Sequence, residues 1–211
     1  MAKKEKMVTV TIKNGAEFTV ELTESKIAEI FGKNYGKVEL STLKAGEIFS
    51  TGKYEWVVLE QSGDTTAVLL KDVLQDKKQF DNSSNDWNRS TLRKWLNNTF
   101  ANELSNEIGE DNLVEHTPDL STDDGTSKYT SDGTKDKVSL LSCNSYRAYR
   151  QYIPKVDDWY WTLTPYSSEV YTSFVRFVYS DGSLFRNYCS YGVGVRPFCI
   201  FKSKILISKG E

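Results

Sequence analysis

The chain has 211 residues, a formal net charge of -2 and a mean hydropathy of -0.51, with 38% apolar and 27% charged residues. This length suits one ordinary domain, or one domain with a short extension, and it can bury a sizeable core. The balanced charge argues against general nucleic-acid binding. No apolar run approaches the roughly 18 residues of a membrane span.

Met1-Ala2-Lys3-Lys4-Glu5-Lys6 has no apolar stretch behind it, so cytoplasmic synthesis without a secretory signal is expected. The one histidine, His116, lies in a polar stretch and reads as a solvent-exposed loop residue. A single histidine leaves little room for zinc sites or Ser-His pairs. Cys143, Cys189 and Cys199 are few for a disulfide framework and form no CxxC pair. Their number points to a reducing compartment and leaves a Cys189–Cys199 bridge open.

Along the chain, Val8, Val10 and Ile12 alternate with threonines, Asn14-Gly15 follows, and Phe18, Val20 and Leu22 alternate again. This pattern predicts a hairpin. Thr23 is placed to cap a short helix carrying Ile27, Ile30 and Phe31, with Gly32 as its stop. Residues 1–37 therefore read as a ββα extension, packed on the main domain or used for attachment or oligomerisation. The main domain spans 38–211. Tyr54–Glu60 and Thr65–Lys71 predict a second hairpin about Gly63-Asp64. Ser90 caps a helix with Leu92, Trp95, Leu96 and Phe100 on one stripe, a core pattern.

Residues 102–137 hold Asp119, Asp123, Asp124, Asp132 and Asp136 among Ser, Thr and Gly, and read as a long surface excursion. Their spacing does not fit an EF-hand loop, and whether residues 119–136 hold an ion stays open. Val138–Ser142 predicts a short strand, and 144–152 a helical turn with Tyr146, Tyr149 and Arg150.

Residues 159–191 are the most informative. They hold 11 of the 27 aromatic residues. Twenty lysines are present, yet none lies between Lys155 and Lys202, where even scatter would place about four. Glutamine and methionine are missing there too. Rings with small polar partners form the mixture used by antibody paratopes. Val175, Val178, Asp181-Gly182 and Gly194-Val195-Arg196-Pro197 read as a fixed frame beneath them, with a hairpin turn at Ser180-Asp181-Gly182.

Three segments carry a resemblance. They are Trp87-Asn88-Arg89-Ser90-Thr91-Leu92-Arg93-Lys94-Trp95-Leu96-Asn97, then Asp136-Lys137-Val138-Ser139-Leu140-Leu141-Ser142, then Trp159-Tyr160-Trp161-Thr162-Leu163-Thr164-Pro165 through Asp181-Gly182 to Gly194-Val195-Arg196-Pro197. In this order, over about residues 40–207, the chain resembles the variable proteins of diversity-generating retroelements in bacteria and phages. Thr162, Thr164 and Phe198-Cys199-Ile200 depart from the family pattern without disturbing the frame. The resemblance implies an α+β, C-type-lectin-like fold, shared with formylglycine-generating enzymes, with helices packed on a twisted antiparallel sheet. It also implies a diversified surface that binds a variable protein or cell-surface ligand.

In such systems adenines of AAC or AAT template codons are varied. That reaches Asn, Tyr, Ser, Asp, Phe, Arg and Cys but not Lys, Glu, Gln, Met or Trp. After Trp161 the window obeys this restriction except at Glu169. The expected ligand-binding residues are Tyr160, Tyr166, Tyr171, Ser173, Phe174, Phe177, Tyr179, Phe185, Arg186, Asn187, Tyr188, Ser190 and Tyr191, lying together and exposed. Trp159 and Trp161 are expected in the frame.

No catalytic constellation stands out. Asp123-Asp124 and Asp157-Asp158 are sequence neighbours without a cleft signal. Asn85-Asp86-Trp87 has the residues of a lectin calcium site in the wrong order. The expectation is a binding protein, not an enzyme, with no metal or cofactor, no nucleic-acid partner and no membrane span. Homo-oligomerisation or phage tail attachment through the N-terminal unit, and hence a virion location, fit the resemblance. The alternative is a non-diversified structural or assembly protein of the same fold.

Overall fold

A computed structural model describes residues 7–13, 17–31 and 36–210. The chain divides into two compact units, Met1–Val38 and Glu39–Glu211. In the first, β1 (Met7–Lys13) and β2 (Glu17–Thr23) pair antiparallel with Ile12 opposite Phe18. The predicted Asn14-Gly15 turn and the Gly32 stop lie outside the described residues. Helix α1 (Glu24–Phe31) begins where Thr23 Oγ1 accepts the Lys26 amide at 3.2 Å, as expected of a capping threonine.

The strand β3 (Lys37–Glu39) spans the boundary between the units. The second unit is mixed α+β and mostly strand. Its large curled sheet is antiparallel. β4 (Ile48–Ser50) and β5 (Glu55–Ser62) are followed by β6 (Thr65–Leu70). β12 (Phe198–Lys202) pairs with β6, and the short strands β7 (Leu113–Val114) and β8 (Val138–Ser139) add to β12. The last strand, β13 (Leu206–Lys209), returns to β4. Gly63 turns the β5–β6 hairpin at φ +61°, the conformation that a two-residue II′ loop requires of its first residue.

The two faces of this sheet bury different partners. On one, Trp56 packs its ring edge against Phe201 at 5.2 Å, and Tyr54 bridges to Phe100 at 5.3 Å. Phe100 belongs to a long helical segment: α2 (Thr91–Trp95), a π-turn over Leu96–Phe100, and α3 (Ala101–Ile108). Of the predicted stripe, Leu92, Leu96 and Phe100 are buried, whereas Trp95 is only half-buried and lines a cavity. The helix runs eight residues past Phe100, burying Leu104, so residues 102–137 are not one surface excursion. On the other face, Val57, Leu59 and Leu69 meet Leu141, Tyr146, Tyr160 and Val178. Tyr146 comes from α4 (Cys143–Tyr149), capped by Ser142, whose Oγ accepts the Ser145 amide at 3.0 Å. The predicted strand at 138–142 is thus shorter, because Ser142 already serves the helix.

A second sheet stands beyond α4. Its strand order is β11–β10–β9, from β9 (Tyr160–Pro165), β10 (Phe174–Val178) and β11 (Leu184–Tyr188), all antiparallel. The β10–β11 turn is the predicted one. Tyr179 N–H donates to the Ser183 carbonyl at 2.9 Å, and Gly182 sits at φ +85°.

Candidate ligand-binding surface

The motif residues prove to be cross-links that hold this small sheet in place. Asp136 is fully buried and accepts from Trp87 Nε1 at 2.8 Å and from Arg93 Nε at 2.6 Å. Asn97 Oδ1 takes the Lys137 amide at 2.7 Å, and its Nδ2 donates to the Val138 carbonyl at 2.9 Å. The Trp87–Asn97 and Asp136–Ser142 segments are therefore two halves of one junction. Burial outweighs these contacts and holds the Asp136 carboxyl above its usual value. Arg196 is buried too. Its guanidinium donates to the carbonyls of Leu70 at 2.8 Å, Pro154 at 3.1 Å and Lys71, and it lies over the Tyr160 ring at 5.0 Å. It thus ties the large sheet to the chain entering β9.

Asn85 clamps the loop between β9 and β10. Its buried Nδ2 donates to the Ser167 and Phe174 carbonyls, each at 2.8 Å, and its Oδ1 accepts from Tyr129 at 2.8 Å. No sequence motif marked Asn85 for this task. The acidic residues serve the same support. Asp123 accepts from Arg176 Nε at 2.9 Å and lies 3.6 Å from Arg147, while Asp119 accepts from Ser142 Oγ at 2.7 Å. Among the described residues no group of three or more His, Cys, Asp or Glu is arranged to hold a metal ion.

The expected binding residues do not form one face. Cross-strand register places Phe174, Arg176, Arg186 and Tyr188 on one side of the small sheet, and Val175, Phe177, Phe185 and Asn187 on the other. Each side carries a ring cluster. On the first, Phe174 stands 4.2 Å from Tyr188, Tyr188 is 6.1 Å from Tyr191, and Tyr166 and Tyr171 adjoin Phe174. On the second, Trp159, Phe177, Tyr179 and Phe185 pack together at 4.8 to 6.4 Å.

Exposure sorts these residues further. Tyr171 is 62% exposed, Tyr191 56%, Phe185 53% and Tyr188 47%. Arg186 and Ser190 are exposed, while Tyr166, Ser173, Phe174, Tyr179 and Asn187 are half-buried. Tyr160 and Phe177 depart from expectation, being only 4% and 5% exposed. Tyr160 faces the core with Val178, and Phe177 packs edge-on against Trp161 at 6.3 Å. The two rings lie on opposite faces of the small sheet, and each is covered where it stands, Tyr160 by the core residues of the large sheet and Phe177 by Trp161. Trp159, expected in the frame, is instead partly exposed in the second cluster.

The expectation for His116 is also corrected, and the bridge left open is absent. His116 is not a solvent-exposed loop residue. Its Nε2 lies 2.8 Å from Ser139 Oγ, its ring meets Phe198 edge-on at 5.3 Å, and its Nδ1 is buried without a partner. Cys189 and Cys199 form no bridge; all three cysteines are free and buried, and burial pushes their thiols up. The Tyr171 backbone is left-handed at φ +54°, unlike any other described non-glycine residue. A bulky side chain rarely adopts that conformation.

The cavities nearby are modest. One of about 80 Å³ lies between Tyr146, Arg150 and Tyr179. Another of about 300 Å³, apart from the small sheet, is lined by Tyr54, Trp95 and Phe100, and Lys78 Nζ covers the Trp95 ring at 4.2 Å. Small-molecule sites usually start near 300 Å³.

None of the described helices is long and apolar enough to cross a membrane. No curated protein and no solved structure matches the chain significantly. A match does cover residues 64–203, which include the Trp87–Asn97 helix, the Asp136 junction and the Gly194–Pro197 segment: over these two-thirds of its length the chain belongs to the family described as Domain of unknown function (DUF6273).

Proposed function

We propose that this protein is a ligand-binding module, not an enzyme, and that its exposed rings form a diversified recognition surface on a C-type-lectin-like scaffold. The carrying observation is the concentration of exposed aromatic side chains at Tyr171, Phe185, Tyr188 and Tyr191 within one small sheet and its loops. Exposed apolar patches of this kind mark interaction sites. Rings with few rotors bind at low entropic cost, and clustered rings make hot spots whatever the target.

The left-handed Tyr171 supports the same reading. Left-handed backbone costs a non-glycine residue about 1–2 kcal/mol, yet its ring remains mostly in solvent. Asparagine, the residue of an AAC codon, tolerates that conformation well. The codon restriction over 162–191 and the absence of lysine agree with template-directed diversification. Tyr160 and Phe177 are assigned to the frame on account of their burial. The binding set is then Tyr166, Tyr171, Ser173, Phe174, Tyr179, Phe185, Arg186, Asn187, Tyr188, Ser190 and Tyr191, with Trp159 as an invariant neighbour. The partner is a protein or a cell-surface ligand.

The test is deep sequencing of the native locus across a population. Differences confined to adenine positions of these codons, sparing Tyr160 and Phe177, are expected. A uniform locus, or differences scattered over the whole chain, would favour the assembly-protein alternative and end this reading.

A further inference from the structure

The exposed rings share a location that the two-faced arrangement first obscures. Phe185 and Tyr188 stand on opposite sides of the same strand, β11, and Tyr191 follows it directly. Among the described residues β11 is the terminal strand of its sheet, paired on one side only. The two ring clusters therefore meet at an open strand edge.

The backbone of that edge can be read from its ladder. Cys189 N–H donates to the Ser173 carbonyl at 2.7 Å, and Tyr179 N–H to the Ser183 carbonyl at 2.9 Å. Hydrogen-bonded pairs alternate in an antiparallel ladder. Phe185 and Asn187 thus spend their amides and carbonyls on β10, while those of Leu184, Arg186 and Tyr188 point outward. Tyr188 is satisfied locally: its amide donates to Asn187 Oδ1 at 2.9 Å, and its carbonyl accepts from Tyr191 at 3.0 Å. Leu184 and Arg186 keep outward backbone groups for a further strand.

The Arg186 side chain is also unspent. Every other arginine meets a carboxylate or a backbone carbonyl. Among the described residues Arg186 alone of the arginines has neither ion pair nor hydrogen bond, and its guanidinium lies only over rings, 4.4 Å from the Tyr166 centroid and 5.4 Å from that of Phe174. A guanidinium held on ring faces keeps its N–H donors free in its own plane, the geometry that receives a carboxylate in two parallel bonds. Its cross-strand neighbour Arg176 is already committed to Asp123, with Nε donating at 2.9 Å, and no lysine lies between Lys155 and Lys202.

We propose, building on the binding role above, that β11 is an augmentation edge that receives an extended acidic segment of a partner protein. The segment pairs antiparallel with Leu184–Arg186 through its backbone. Its residue opposite Arg186 is Asp or Glu, because residues opposite one another share a face and opposite charges there stabilise the pair. The residues on either side of that acid turn to the other face, where Phe185 takes an apolar side chain. Main-chain bonds supply affinity and the alternating side chains supply specificity, as in other strand-addition complexes.

The full chain is titrated with fluorescein-labelled ten-residue peptides: one alternating Val and Glu, one alternating Val and Lys, and the Val-Glu peptide with N-methyl groups on its glutamate amides. The Val-Glu peptide is expected to bind at least about tenfold more tightly than either of the others, since loss of a buried charge pair or of the ladder bonds each costs that much or more. Arg186→Glu should reverse the preference towards the Val-Lys peptide, and Arg186→Gln should abolish it, both with an unchanged thermal midpoint. Equal binding of the N-methylated peptide would leave a side-chain contact without strand addition and overturn the proposal. Equal binding of the Val-Lys peptide, or no saturable binding of Val-Glu, would overturn it as well. None of these results touches the pattern of locus variation, so failure here is distinct from failure of the diversified-surface reading.

Discussion

His116 shows how one side chain sets a pH limit. Burial against Phe198 pulls its imidazole down to about 4, whereas an unfolded chain binds the proton near 6.5. Between these values the unfolded state holds more protons than the folded state, so stability falls as pH drops from 6.5 towards 4. The full loss is about 3 kcal/mol for such a difference. Urea unfolding at pH 7 and at pH 4.5 checks this. In His116→Gln the stability difference between the two pH values should shrink by about 2 kcal/mol. Equal differences in both chains would assign the acid sensitivity to other groups.

At the scale of elements, the small sheet is held by contacts that tolerate no added bulk. A Cβ on Gly194 would lie 2.4 Å from the Trp159 carbonyl oxygen and 2.3 Å from Val73 Cγ1. Backbone at that distance cannot swing aside as a side-chain tip can. The same glycine bridges Tyr160 in parallel, with Trp161 N–H donating to its carbonyl at 3.0 Å. Gly194→Ala should therefore cost about 2–3 kcal/mol, the upper range for overpacking, and shift β9 away from the large sheet. Thermal unfolding would show a midpoint lower by roughly 4–12 °C for a domain of this size. Gly63→Ala provides the control: its Cβ meets nothing within 4 Å, so any loss there reports its left-handed backbone alone.

Over the whole molecule, binding and folding should separate. Tyr171, Tyr188 and Tyr191 stand on the surface, whereas Tyr160 packs in the core between the two sheets. Replacing the three exposed tyrosines by alanine should move the thermal midpoint by only a few degrees, since exposed sites typically change stability by about 0.5 kcal/mol or less each. Tyr160→Ala should cost about 3–5 kcal/mol, as large-to-small core changes do. A triple variant as unstable as Tyr160→Ala would make the surface rings ordinary packing.

What the residues determined by themselves was local. The Ser90 cap, the Leu92-Leu96-Phe100 stripe and the turns at Gly63-Asp64 and Ser180-Asp181-Gly182 rest on contacts within a few residues, so pattern and propensity suffice to read them. The unusual composition of 159–191 was equally legible, because it needs no coordinates. The tertiary structure alone decided which rings turn inward. Tyr160 and Tyr171 are the same residue in the same window, but one lies on the strand face that meets β5 and the other in a loop clamped by Asn85. The burial of His116 against Phe198 and of Asp136 beneath Trp87 came likewise from partners 82 and 49 residues away. Side-chain identity sets what a residue can do, but its surroundings are supplied by strands distant in sequence, and desolvation and charge pairing depend on those surroundings.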